Sequence, residues 1–227
     1  MAAAKYWCPI VIRSASAAHC WRGFCALILT LSLALVSVTS IAEPLSPAHS
    51  LTQRMSSLDG MRAGIEQKIY ANGVLLEESQ GSIALAKPNL RWQVDTPFPQ
   101  VILVKQNELQ IYDEDLAQLT IRDLADSVSE TPADVLMQPE RLLSAHYRVT
   151  LDRADAHQVY RLYSDVSSSL FQLLEIVFAE GVLASLTILD WQDQQTQIYF
   201  SDVEILSELP PSLFELSVPQ DTDVIRG

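Results

Sequence analysis

"LRWQVDTPFPQVILVKQNELQIYDEDLAQLTIRDL", residues 90–124, carries the signature from which the architecture follows. Leu90, Trp92 and Val94 alternate with Arg91, Gln93 and Asp95. That period of two belongs to a strand with one buried and one wet face. Pro97 and Pro99 interrupt the pattern, and "QVILVKQ", "ELQIYD" and "QLTIRDL" resume it. Gln106-Asn107 and Asp113-Glu114-Asp115 are turn-forming residues between these runs. The stretch therefore predicts consecutive antiparallel strands. It holds no nucleophile–base pair, no metal-ligand cluster and no glycine-rich loop.

The same alternation extends outward on both sides. In "MRAGIEQKIYANG", Met61, Ala63, Ile65 and Ile69 share one face, while Arg62, Glu66 and Lys68 share the other. Asn72-Gly73 is a strong hairpin signal. "EESQGSIALA" supplies a second strand, and Pro88-Asn89 turns the chain into the opening run. Further upstream, Leu51, Met55 and Leu58 recur at helical spacing, with Pro47 suited to the first turn and Gly60 to the exit. Downstream, "TPADVLMQPERLLSAH" interrupts the strands. Thr131 is a candidate N-cap, and Val135, Leu136 and Met137, then Leu142 and Leu143, read as two short helical pieces split at Pro139. "YRVTLDR", "QVYRLYSD", "LFQLLEIVFAEG", "VLASLTILDWQ", "TQIYFSDVEI" and "FELSVP" then read as strands, with hairpin turns at Gly181 and Asp193. About eleven strands are expected. One sheet of that size curls, which leaves a concave face for the helices to cover or plug.

Residues 1–42 read as a secretory signal peptide, and 43–227 as a single domain. Lys5, Arg13 and Arg22 precede the apolar run Ala26 to Val38, and Ser40 and Ala42 fit the −3 and −1 positions of a cleavage site. As a membrane anchor this run is short, since spanning takes about 20 apolar residues. All three cysteines, Cys8, Cys20 and Cys25, lie in this leader. Cys25 precedes the apolar run, so no lipidation site, disulfide or thiolate metal site is expected in the remainder. With three of the 15 basic residues in the leader, 12 remain against 28 acidic ones. That balance argues against nucleic acid and anionic lipid as partners. It suits either basic docking surfaces or simple solubility.

Candidates for catalysis are few. His49, His146 and His157 lie far apart, in no metalloprotease spacing. "YDEDL" lacks the spacing and glycine of a calcium loop and reads as a solvated turn. No nucleophile elbow or phosphate loop occurs. No cofactor and no metal are expected, and nothing positive supports an enzyme. A binding role has more behind it. Trp92, Tyr112, Trp191, Tyr199 and Phe200 fall in the strand region, and Leu136 and Met137 on the helical insertion. Lining a curved sheet, such side chains make an apolar cavity. Periodicity alone favours an ordinary packed core beneath two helices.

At this point the chain resembles the LolA family, periplasmic carriers of outer-membrane lipoproteins. The opening segment with its preceding "KP" looks like the family's hallmark of a basic residue and proline, then "RW", "ILV" and "YD…L.QVT", the last read here as "YDEDLAQLT". "SETPADVLM", "LFQLLEIVFAEGVLASLTILDWQDQQTQIYFSDVEI" and "LFELSVPQDTDVI" match later family segments in order. The resemblance implies a mainly β (α+β) fold. This is an incomplete, strongly curved antiparallel β-barrel whose N-terminal helix and mid-chain helical insertion form a lid over a hydrophobic cavity. It implies a periplasmic monomer that binds the acyl chains of lipoproteins. Cargo would come from an inner-membrane lipoprotein-releasing ABC transporter and pass to the outer-membrane receptor LolB. LolB shares the fold but is itself a lipoprotein, and the missing lipidation cysteine separates this chain from it. A paralogous carrier or sensor of another lipid is the alternative on the same fold.

The resemblance also assigns residues. Leu90, Trp92, Val94, Ile102, Val104, Ile111, Val135, Leu136 and Met137 are the expected cavity or lid contacts. Pattern does not settle which face of the strands bearing Ile102, Val104 and Ile111 points inward. Lys87 stands where the family has an arginine that hydrogen-bonds to the lid, and is the expected latch. Lysine lacks arginine's planar fork, so an equivalent latch would be weaker or differently directed. The family also has an aromatic before "RW", whereas this chain reads "NLRW" and is one residue shorter there.

Overall fold

The computed structural model describes residues 46–123, 132–140, 147–164 and 171–227. The expected signal peptide, Thr131, Leu142, Leu143 and His146 lie outside the described residues. Helix α1 spans Pro47–Ser56. The Ser46 hydroxyl caps it by accepting from the His49 amide at 3.3 Å, and Pro47 occupies the first turn. Its apolar face, Leu51 and Met55, is fully buried, and Leu58 follows it inward.

Six strands come next: β1 Met61–Ala71, β2 Val74–Ala86, β3 Asn89–Thr96, β4 Gln100–Lys105, β5 Glu108–Asp113 and β6 Gln118–Asp123. Asn72 and Gly73 both adopt positive φ, which gives the β1–β2 hairpin its tight turn. Helix α2, Pro132–Met137, precedes β7 Tyr147–Ala154, β8 His157–Ser164, β9 Leu173–Ala179, β10 Val182–Leu189 and β11 Gln194–Ile205. A short 3-10 turn, Pro211–Phe214, leads to β12, Asp223–Arg226.

All twelve strands form one sheet, in the order β12-β6-β5-β4-β3-β2-β1-β11-β10-β9-β8-β7. Neighbours are antiparallel except β12, which pairs with β6 in parallel. The sheet is curved and unclosed, with β12 and β7 at its two edges. Two departures from the sequence reading concern its end. The last strand is Asp223–Arg226, which pairs with Gln118–Ile121 and brings the described strands to twelve. "FELSVP" is not a strand. Pro210 and Pro211 force the turn before it, and Leu209 and Phe214 instead bury against Ala84 and Leu103 on the convex side. That covering explains why "VILV" is apolar at consecutive positions: Val104 belongs to the concave core and Leu103 to the small convex one.

Candidate functional site

The concave face is built from cross-strand rows. Directly opposed residues in antiparallel strands share a face. One row runs Met61, Leu85, Leu90, Val104 and Leu109 across β1 to β5. The next runs Ala63, Ile83, Trp92, Ile102 and Ile111. Register thus decides what alternation left open: Ile102, Val104 and Ile111 share the concave face with Leu90 and Trp92. Leu90 is fully buried and Trp92 is 5% exposed, while Val94 and Ile102 are half-buried against the same cluster. Ile111 ends the second row, half-buried.

Two helices cover these rows. From α1, Leu51 and Met55 pack into the cluster, and from α2, Val135 and Leu136 do so, with Met137 half-buried beside them. Thus eight of the nine expected contacts, all but Ile111, sit in one described cluster. The other half of the sheet contributes as much and was not anticipated. Tyr160, Leu162, Leu174, Ile176 and Phe178 are essentially unexposed in the same core. The alternation in "VYRLY" and "LLEIVF" was the available signal. Three aromatics depart from the expected lining. Tyr112 lies opposite Val101 and Gln93's row, on the convex face. Tyr199 pairs with Glu66 there and is 46% exposed. Trp191 lies in the turn after β10 rather than on a strand.

Lys87 occupies the two-residue turn between β2 and β3. Its ammonium donates to the Met55 carbonyl near the end of α1 at 3.4 Å, and its backbone amide donates to Asp59 Oδ1 at 2.8 Å. The last carbonyls of a helix lack intrahelical partners and carry partial negative charge, so a cation suits them. The distance is long for a hydrogen bond, which makes the contact a weak one. Burial lowers the pKa of this lysine, with Asp59 and then Glu140, just after α2, acting in the opposite direction.

Clefts on the convex side have another character. One of about 330 Å³ is lined by Arg62, Arg91, Gln93, Asp202 and Glu204 beside Leu213. Arg91 organises it, donating to the carbonyls of Leu213 at 3.5 Å and Glu215 at 3.2 Å and to Gln93 Oε1. Among the described residues no group of His, Cys, Asp or Glu is placed to hold a metal ion, and no helix is long and apolar enough to cross a membrane.

Residues 56–217 match the family model "Outer membrane lipoprotein carrier protein LolA". The chain belongs to the LolA family. Curated relatives agree. The outer-membrane lipoprotein carrier protein of Azotobacter vinelandii is 31% identical over 84% of this chain and 88% of its own length. That of Chromohalobacter salexigens is 30% identical over 79% and 86%. A solved structure of an uncharacterized conserved protein from Thermus thermophilus shares the fold, with a TM-score of 0.53 at 12% identity, covering 79% of this chain and 99% of that one. Against the LolA hallmark, the structure places the "RW" pair back to back. Trp92 enters the concave core, while Arg91 faces outward and pins the C-terminal segment. The turn before them is short: Lys87 and Pro88 are its whole length, and β3 starts at Asn89.

Proposed function

We propose that the chain is a periplasmic lipoprotein chaperone that holds acyl chains on its concave face, beneath α1 and α2. The observation that carries this reading is the pair of apolar cross-strand rows covered by two short helices rather than by a second sheet. Family membership supports it independently. An acyl chain gains about 0.8 kcal/mol per buried methylene. Leaving a bilayer for water therefore costs a long chain roughly 10 kcal/mol, and an apolar site of similar extent removes most of that barrier.

Uptake requires α1 and α2 to move, because Leu51, Met55 and Leu136 fill the concave face in the closed form. In this proposal Lys87 is the latch, Trp92, Val94, Leu90, Ile102, Val104 and Ile111 are wall contacts, and Val135, Leu136 and Met137 are lid contacts. The carrier works as a monomer, receives cargo from an inner-membrane ABC transporter and yields it to LolB. Binding and release suffice, so the role needs no catalytic group and no cofactor. Depletion in the native cell tests it: outer-membrane lipoproteins should accumulate at the inner membrane. Normal lipoprotein sorting after depletion would sink the proposal. Lysine at the latch position favours a second reading, a paralogous carrier of another lipid, and identification of copurifying lipids separates the two.

A further inference from the structure

Tyr160 lies mid-way along β8, on the concave face, with none of its surface exposed. Its cross-strand neighbours are Leu151 on β7 and Ile176 on β9, both aliphatic. A phenol hydroxyl in such surroundings loses its water and needs a partner. It has Ser50 Oγ of α1 at 2.8 Å, and Gln158 Oε1, two residues back on its own strand, at 3.5 Å. Packing does not require the hydroxyl. The ring is fixed edge-on to Phe178, with centroids 6.0 Å apart at 83°, and phenylalanine would keep that contact.

The short bond is to α1, the helix that moves in the proposed cycle. When α1 lifts, the hydroxyl keeps, among the described residues, the long contact to Gln158. What enters beneath the helix is an acyl group, apolar except for the ester or amide carbonyl at its linkage. That carbonyl accepts and cannot donate, and a tyrosine hydroxyl supplies the donor. We infer that Tyr160 is the hydrogen-bond anchor for the linkage carbonyl of an acyl ligand, and that Ser50 holds this position in the closed molecule. This inference rests on the carrier reading. It fixes how far a chain slides along the concave face, because the carbonyl end is tied to β8 while the alkyl part lies over the apolar rows.

The test compares two probes of similar length, methyl palmitate and heptadecane, in displacing a fluorescent apolar dye from the signal-free chain. The readout is the ratio of the two affinities. Tyr160→Phe should cut the preference for ester over alkane roughly fivefold, the worth of one hydrogen bond. Ser50→Ala should strengthen binding of both probes and leave the ratio unchanged, since it removes only the competitor. An unchanged ratio in Tyr160→Phe would overturn the inference and make the hydroxyl a fastener of α1 alone. Failure of the native chain to bind either probe would overturn the carrier reading, and this inference with it.

Discussion

In the proposed carrier, Lys87 is the side chain that would set the strength of closure. Its single long bond to the Met55 carbonyl is opposed by the cost of burying an ammonium. Lys87→Leu should impair cargo cycling while leaving thermal unfolding cooperative; normal uptake and release by that variant would remove the latch role. Lys87→Arg should hold α1 more tightly and slow dye exchange severalfold, because the guanidinium offers a fork of donors. The pH dependence has a definite sign. With the folded pKa lowered by burial, the unfolded chain binds the proton more strongly, so this group's contribution to stability rises as pH climbs through the folded value. Relative to Lys87→Met, the native chain should therefore gain stability between neutral pH and about pH 11, as chemical denaturation would report. Trp92 is the residue most legible beforehand, since its place in a strict alternation already put it inside. Truncation to alanine should cost about 3–5 kcal/mol. Tyr160 was not legible as a polar contact, because its partner Ser50 stands 110 residues away in sequence.

At the scale of elements, alternation was readable wherever one face is buried and the other wet, as in β1 and β3. It failed in "VILV", where both faces are buried, and only the register with β3 and β5 settles the inward positions. The end of the chain was misread for a related reason. A four-residue strand such as β12 carries too little pattern to register, and its partner β6 lies about a hundred residues earlier. The preceding segment resembles a strand because it too is half-buried, against Ala84 and Leu103. Arg91→Met should release that segment. Hydrogen exchange over residues 209–218 should rise while the concave core stays protected, and uniform exchange across both would contradict the assignment. At Gly81 the backbone of β3 leaves no room for a side chain on β2. A Cβ there would lie 1.9 Å from the Gln93 carbonyl oxygen, beside a register shift in the pairing. Gly81→Ala should destabilise the fold by about 1–3 kcal/mol in denaturant titration, the usual cost of overpacking.

At the largest scale, the described residues form a twelve-stranded sheet, with β12 and β7 at its edges, whose apolar concave face two short helices cover. Fold class, helix placement and the concave residues of β1 and β3 were legible because burial imposes periodicity. The docking surfaces were not, since exposed positions carry no such pattern. The proposed carrier holds lipoprotein acyl chains on the concave face and not on the convex one. A photo-crosslinking amino acid at Met137, half-buried where α2 meets the concave core, and another at Tyr199, exposed on the convex face, test it in the native periplasm. Adducts with lipoproteins at Met137, absent at Tyr199, are the predicted result; lipoprotein adducts at Tyr199 with none at Met137 would contradict the account.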